Sequence, residues 1–461
     1  MFKKLTLLVL SFFLLQTIFA QSKAWNRHDT FGKGMNLSWL ENYWNGTVEN
    51  GFMDYLNMNS IPSKHHDLEV MKEMGINTLR LPVCFDVWEE GTFPYDIEMS
   101  HYFEALDSIL DWSEALGFNV LIEYHHGSLS ENNLEEETER IIAIWKQVVA
   151  RYGNRNPEKV FFEIYNEPHG IGFANWQSVM ETIVDSLRAF DADQTFVVGG
   201  SDYNSVLGLS NLIPLEDDNI IYTFHYYEPF LFTHQGAEWV GEPVATTGIP
   251  YPYNSSEMPG LHSQAKDTWG ENAYNDYEKN GNLDTLRSWV ADAKLWSEIN
   301  NRPVFCGEFG SYYKGDDDSR CRYTKAIGAI MECNDLPWCY WEWDQGFGLF
   351  NGEPALENLS ACMLDAWGVG PLDTLQSANY GGDPCRVYPN PTEHLLYVER
   401  TDLDVPMVLN ICDTSGRVVR GITLCVGLNE INISDLSTGV YGLLFLNMDG
   451  DRLFGRKLVK H

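Results

Sequence analysis

The chain has 461 residues and a formal charge of −35, which is too long for one ordinary domain and suits a barrel of about 250–350 residues plus a smaller module. The acid excess lies in residues 21–385, the remainder being nearly neutral. Such a surface repels nucleic acid and anionic membranes, while a neutral polysaccharide is indifferent to it. Nine cysteines without a C-x-x-C pair or a Cys/His zinc spacing give no sign of a structural zinc module.

The chain opens with Met1-Phe-Lys-Lys4 and a mostly apolar run from Leu5 to Ala20. A positive start, a short apolar stretch and a small residue at its end predict a signal peptide over residues 1–20, cut after Ala20, with Ser22-Lys23-Ala24 as a second candidate. A membrane anchor fits less well, because a spanning helix wants about 20 apolar residues and Gln16 interrupts this run. No later segment is long and apolar enough, so no transmembrane span is expected in the mature chain.

From residue 25 to 367 short apolar runs alternate with amphipathic stretches. The expected strands are Gly32–Leu37, Ile76–Leu81, Asn119–Glu123, Val160–Tyr165, Thr195–Gly199, Ile220–Phe224, Pro303–Cys306 and Trp338–Trp341. Expected helices are His65–Met74, Tyr102–Leu116, Glu135–Tyr152, Trp176–Phe190, Leu283–Ile299 and Ser319–Asn334. Ile141, Ile144, Trp145 and Val148 recur at i, i+3, i+4, i+7, one face of a helix packed on a barrel. Eight strands with intervening helices predict an α/β fold, a (β/α)8 TIM barrel. No Gly-rich phosphate loop follows the first strand, which argues against a dinucleotide fold. The long connection from Pro229 to about Leu283 is rich in Gly, Pro, Tyr, Trp and Asn, and a barrel loop of that length is usually part of the substrate cleft.

Residues 368–385 change texture to Gly, Pro, Asp and Ser and read as a linker. Residues 386–461 carry short alternating runs, Leu395–Glu399, Met407–Ile411, Gly416–Val419, Asn429–Ile433 and Gly439–Leu446, which predict a small antiparallel β-sandwich. Cys84, Cys306 and Cys339 fall in apolar runs and are expected as buried thiols, and Cys412 and Cys425 as plausible disulfide partners.

Two glutamates end apolar runs: Glu167 in Val160-Phe-Phe-Glu-Ile-Tyr-Asn-Glu-Pro-His169, and Glu308 in Pro303-Val-Phe-Cys-Gly-Glu-Phe-Gly310. Barrel strands aim their C-terminal ends at a common cleft, where a carboxyl pair suits glycosidic cleavage, one delivering a proton and the other attacking or stabilising the anomeric carbon. Asn166 is placed to bond a sugar 2-OH. Arg80 and Tyr227, if they reach Glu308, favour its carboxylate, whereas Glu167 must keep its proton through burial and the other charge. Trp39, Trp44, Trp88, Trp239, Trp341 and Trp343 lie in or near strand-end loops, and indole faces stack on the C–H faces of pyranoses. A single Trp is more often core, and Trp341 escapes that through its strand-end position. The neighbours His125 and His126 would face opposite ways on a regular strand, so no metal site and no cofactor are expected.

Arg80 in Asn77-Thr-Leu-Arg-Leu-Pro82, His125 in Leu121-Ile-Glu-Tyr-His-His126, Asn166-Glu167, His225 and Tyr227 in Phe224-His-Tyr-Tyr-Glu-Pro229, Glu308, and Trp341 in Cys339-Tyr-Trp-Glu-Trp343 together resemble glycoside hydrolase family 5, the retaining cellulase barrels. The resemblance covers roughly Phe31–Trp367. It implies Glu167 as acid/base, Glu308 as nucleophile, Arg80, His125, Asn166, His225 and Tyr227 as a hydrogen-bonding shell, and Trp341 as sugar platform. The loop Phe232-Thr-His-Gln-Gly-Ala-Glu-Trp239 is similar to one in some endoglucanases of that family, which adds His234, Gln235 and Trp239 as substrate contacts beside His126 and Trp39. Glu123 departs from the family, which commonly has Asp there, a change expected to touch packing more than chemistry.

Tyr388-Pro-Asn-Pro391, Ile433-Ser-Asp-Leu-Ser-Thr-Gly-Val-Tyr441 and Lys457-Leu-Val-Lys460 resemble the C-terminal sorting domain of type IX secretion. A carbohydrate-binding module is the rival, but the region has few aromatics and no Trp. The expectation is a secreted or cell-surface, monomeric, retaining endo-β-1,4-glucanase whose partners are a β-glucan and the secretion machinery. The alternatives are a β-mannanase, a xyloglucanase or a mixed-linkage glucanase, and more remotely a non-catalytic polysaccharide-binding protein.

Overall fold

The structure is a computed structural model that describes residues 22–41, 61–88, 95–97, 103–350, 352–367, 385–400, 407–414, 416–447 and 452–461. The expected signal peptide, residues 368–384 of the expected linker and Trp44 lie outside the described residues, as does the side chain of Trp88, while Cys385, expected as the linker's last residue, already belongs to a strand.

Eight parallel strands close a barrel in chain order: β1 (Lys33–Asn36), β2 (Thr78–Val83), β3 (Asn119–Tyr124), β4 (Val160–Glu163), β5 (Phe196–Gly199), β6 (Ile220–His225), β7 (Val304–Phe309) and β8 (Trp338–Tyr340). Closure is made by β1 lying between β2 and β8, with Met35 opposite both Leu79 and Tyr340. The six anticipated helices are present as Ile61–Glu73, Phe103–Leu116, Leu134–Tyr152, Phe173–Phe190, Leu283–Asn300 and Asp317–Cys333. Leu134–Tyr152 buries Ile141, Ile144, Trp145 and Val148 as its spacing requires, and carries Glu135, Glu136 and Glu137 in the first turn, where they suit the helix dipole. Asp316 starts Asp317–Cys333 by accepting a hydrogen bond from the Ser319 amide at 2.8 Å.

Side-chain alternation sorts the barrel into layers. One inward set, Leu121, Phe161, Val197, Ile221, Phe305 and Cys339, forms an apolar floor with Phe31 and Ala24. Ala24 belongs to a short helix, Lys23–His28, capped by the Ser22 hydroxyl. That helix closes the bottom of the barrel and is tied down by Arg27, which donates to Glu158 and Thr195. With the floor sealed by packing, the functional layers can only open at the other end.

The connection after β6 divides in two. Its first part, with Phe230, Ala237, Val240 and Val244, joins Tyr227, Tyr312, Trp341 and Phe347 in a small apolar cluster. Further on, Ile249, Tyr251 and Tyr277 pack into the main core. The first part therefore borders the strand ends, and Trp269 of the second packs edge-on against its Phe230 at 5.8 Å.

The C-terminal module is two antiparallel sheets, ordered β13-β10-β9 and β12-β11-β14-β15, where β9 is Cys385–Tyr388, β10 Leu395–Arg400, β11 Met407–Cys412, β12 Val418–Leu424, β13 Gly427–Asn432, β14 Gly439–Leu446 and β15 Arg452–Lys460. Leu396, Val398, Leu409, Ile411, Leu443, Phe445 and Leu458 fill the space between them. Sequence patterning gives β10–β14 and misses β9 and β15, and in β15 charges such as Arg456 and Lys457 interrupt the apolar alternation. Asn390, in the Tyr-Pro-Asn-Pro motif, donates to Lys457 O at 2.5 Å and accepts from the Val459 amide at 3.0 Å, clamping β15.

The disulfides correct one expectation. Cys425 pairs with Cys333, on the barrel helix Asp317–Cys333, and Cys321 pairs with Cys362. Cys412, at the end of β11, stays a buried thiol, and Cys84, Cys306 and Cys339 are buried as anticipated. Among the described residues no helix is long and apolar enough to cross a membrane.

Candidate active site

Above the floor the inward positions become polar. β2 supplies Arg80, β3 supplies Glu123 and then His125 just past its end, and β4 supplies Glu163, with Asn166 and Glu167 following. β6 ends on His225, with Tyr227 two residues on, while Glu308 comes from β7 and Trp341 follows β8. Two local departures from regular strand geometry put the glutamates in place. Phe224 pairs with Cys306 but His225 pairs with Glu308, so β7 carries one extra residue, Gly307. Without that bulge Phe305 and Glu308 would face opposite sides, and with it both point inward. The second departure is Glu167, which has φ of +44°, a left-handed conformation unusual for a side chain of its size.

Arg80 is fully buried and holds the site together. Its guanidinium grips Glu163 through two bonds of 2.7 and 2.8 Å. Its remaining donors reach Glu308 Oε1 at 2.6 Å, Asn166 Oδ1 at 2.8 Å and Asn36 Oδ1 at 3.0 Å. Glu308 Oε2 accepts from the Tyr227 hydroxyl at 2.7 Å, so both of its oxygens carry a donor. Glu167 Oε1 lies 2.7 Å from His225 Nδ1. One carboxylate oxygen each from Glu167 and Glu308, with a ring nitrogen of His225, lie within 4.8 Å of one another.

Burial raises both carboxyls, and what touches them sets them apart. It drives Glu167 up to about 7, against the pull of Arg80, His169 and His126. Glu308 is also pushed up by burial and by Glu167, but His225, Arg80 and the Tyr227 hydroxyl oppose that rise. His225 is lowered to about 4 by desolvation and is neutral near pH 7. His125 is pushed well down, by burial first and then by the nearness of His126 and Arg80. Its Nδ1 meets Glu123 Oε2 at 2.8 Å, and its ring stacks on Trp341 with 5.4 Å between centroids and 7° between planes.

A strand-end carboxyl pair, an arginine locked beneath it and an indole beside it on a closed barrel match a known family. The model for cellulases of glycosyl hydrolase family 5 covers residues 32–346. The chain belongs to glycosyl hydrolase family 5. Endoglucanase 3 of Fibrobacter succinogenes is 28% identical over 362 residues, a match covering 73% of this chain and 52% of that relative, so the chain spans about half its length. Endoglucanase C of Acetivibrio thermocellus is 27% identical over 305 residues, covering 62% of this chain and 85% of the relative. Among solved structures, Thermotoga maritima Cel5A with cellobiose superposes with a TM-score of 0.61 at 28% identity, covering 75% of this chain and 99% of that one. Residues 386–460 match a secretion system C-terminal sorting domain, the type IX kind, which marks this family 5 hydrolase for export to the cell surface or beyond.

The structure brings together Arg80, His125, Asn166, Glu167, His225, Tyr227, Glu308 and Trp341, all of which the sequence singles out, and His126 borders them at Glu41. Trp239 is 62% exposed and packs edge-on against Tyr312 at 4.8 Å, leaving an indole face open beside the cleft cluster. Three others differ from expectation. Trp39 is entirely buried in the main core, with Lys64 Nζ 4.8 Å over its ring, so it presents no face to a sugar. Gln235 is buried, its amide bonded to Phe232 O and to both backbone groups of Ile249, and it pins the loop instead of reaching substrate. His234 is buried, stacked on Phe230 at 3.9 Å and edge-on to Tyr227 at 4.9 Å, so it braces Tyr227.

Sequence reading overlooks Asn36, Glu41 and Glu163. A signal existed for Glu163: a charged residue inside the apolar run Val160–Tyr165 must find a buried partner. Glu123 does more than pack, since its carboxylate orients His125 and lies 3.6 Å from Arg80.

Proposed function

We propose that this family 5 hydrolase is an exported endo-β-1,4-glucanase that cleaves with retention by double displacement. The observation that carries the reading is the unequal pair Glu167 and Glu308, with oxygens within 4.8 Å of each other. That proximity suits the roughly 5–5.5 Å carboxyl spacing of retaining enzymes and leaves no room for the water that inversion places between groups about 6.5–9.5 Å apart. Glu308, held by Arg80 and Tyr227, attacks the anomeric carbon as a carboxylate. Glu167 gives its proton to the departing glycosidic oxygen, so that bond breaks as the glycosyl ester to Glu308 forms. Water then attacks the same carbon, Glu167 takes its proton, and Glu308 leaves as a carboxylate. Asn166 accepts from Arg80 through Oδ1, which frees its amide hydrogens for the sugar 2-OH, and the relatives' names as endoglucanases support the glucan.

Proton NMR of a digest in its first minutes should show the β-anomer of the new reducing end before mutarotation. An α-anomer appearing first would mean inversion and end the double-displacement reading.

A mannan is the second reading, because Thermotoga maritima Cel5A, similar to this chain at a TM-score of 0.59, was also solved with mannotriose. Reducing-end release from cellulose, mixed-linkage glucan, xyloglucan and mannan, compared at equal enzyme, separates the two.

A further inference from the structure

Strand β3 ends at Tyr124, so His125 and His126 follow one another in irregular backbone, where the alternation that would part them no longer applies. Their rings meet edge to face with 4.5 Å between centroids. Both turn Nε2 toward one oxygen, Glu41 Oε1, at 3.7 Å from His125 and 3.3 Å from His126. These separations are long for hydrogen bonds, which cluster near 2.9–3.0 Å. Ligands about 2.0–2.1 Å from a tetrahedral zinc stand about 3.3 Å from each other, the separation His126 has from Glu41, with His125 farther out at 3.7 Å. One ligand atom from each of the three residues lies within 4.8 Å of the others.

A second feature points the same way. The far nitrogen of His125, Nδ1, is bonded to the buried Glu123 carboxylate at 2.8 Å. A carboxylate behind an imidazole fixes its tautomer with the other nitrogen facing outward, as in carboxylate–histidine–zinc triads. Trp341, flat against His125, fixes the plane of the ring. The side chains of His125, Glu41 and His126 are 7%, 13% and 24% exposed, so the group is largely buried and solvent reaches it mostly at His126. Two imidazoles and one carboxylate select zinc-like ions over magnesium or calcium, which take oxygen donors. The neighbouring group Glu167, His225 and Glu308 is less suited, because both Glu308 oxygens already accept hydrogen bonds, from Arg80 and Tyr227.

We propose that Glu41, His125 and His126 form a binding site for one divalent transition-metal ion of the zinc class at the edge of the catalytic cleft, and that the bound ion inhibits hydrolysis by taking His125 away from the sugar. The inhibitory half rests on the glycanase reading, while the binding half does not.

Isothermal titration of the full mature chain with zinc chloride, in a non-chelating buffer and without polysaccharide, should give one equivalent of bound zinc. Glu41→Gln and His126→Ala should each weaken it about tenfold or more, and Glu308→Gln should leave it unchanged. In steady-state assays zinc should raise KM for a soluble glucan, with reversal by EDTA. Absence of saturable binding up to millimolar zinc overturns the site. So does binding that survives both Glu41→Gln and His126→Ala, whether or not Glu308→Gln removes it. Zinc bound at these residues with KM unmoved overturns the inhibition. If no polysaccharide is hydrolysed at all, the titration still decides the metal site.

Discussion

The two glutamates differ less in their own burial than in what touches them. Glu308 has a donor on each oxygen, from Arg80 and Tyr227, whereas the described contact of Glu167 is a neutral imidazole. Replacing Glu308 by Gln keeps the shape and removes the nucleophile, so turnover should fall about ten thousandfold or more while the melting temperature changes little. Activity approaching wild type in that variant would end the assignment. Glu167 makes a different prediction, through stability. Its carboxyl ionises near 4.5 when unfolded and at about 7 when folded, at a side chain 27% exposed. Below pH 4.5 both states are protonated and nothing is lost; between 4.5 and 7 the unfolded chain ionises first, and folding stability drops by about 2–3 kcal/mol above pH 7. Glu167→Gln should therefore be more stable than wild type at pH 8 and equal to it near pH 4. Denaturant unfolding at both values measures this, and an equal gap at both would remove burial as the cause. The same titration sets the alkaline limb of the activity profile near pH 7, as the acid loses the proton it must deliver.

At the scale of the element, the bulge in β7 decides where Glu308 points. The sequence shows an apolar run ending in Cys-Gly-Glu, and nothing in it reveals that Gly307 is the extra residue. A Cβ at Gly307 would lie 2.6 Å from Thr223 Oγ1 and 3.2 Å from the His225 ring. Gly307→Ala should thus displace His225 and cost about a hundredfold in kcat with the barrel still folded, since a shift of about 1 Å at the reacting centre is enough. Unchanged kcat would show that the bulge tolerates a side chain. The strands themselves were legible because a parallel barrel buries both faces, giving apolar runs that the eye finds easily. What was not legible is whatever depends on leaving the regular strand: the inward turn of Glu308, the left-handed Glu167, and the meeting of His125 with His126 beyond Tyr124. The family resemblance names Glu308 and Glu167 but carries neither the bulge nor the left-handed backbone, and strand parity parts His125 from His126, which the irregular backbone beyond Tyr124 brings together. The loop residues Gln235 and His234 failed for a related reason, since a loop sequence does not say which of its polar groups the loop keeps for itself.

On the scale of the whole molecule, the two modules carry separate tasks and separate cores. The barrel was readable from alternation of periods, and the sandwich from its short runs, but the joint between them was not, because disulfide partners far apart in sequence have no local signature. Removal of residues 386–461 should block transfer across the outer membrane while leaving the barrel fold in place, measured as enzyme retained in the cell against enzyme released. Normal release of the truncated chain together with lost polysaccharide retention would favour the carbohydrate-binding alternative for the module. Thr423 Oγ1, which donates to Glu332 at 2.9 Å, adds a polar contact beside the disulfide at this joint.

Cys333 and Cys425 lie on opposite sides of residues 368–384 in the chain, and their bond joins helix Asp317–Cys333 to the sandwich directly. The chain is consequently a covalent ring from Cys333 through the connecting segment and back. A protease that cuts anywhere between Trp367 and Cys385 opens the ring without parting its contents: one molecule persists under oxidising conditions, and two fragments separate only when a reductant arrives.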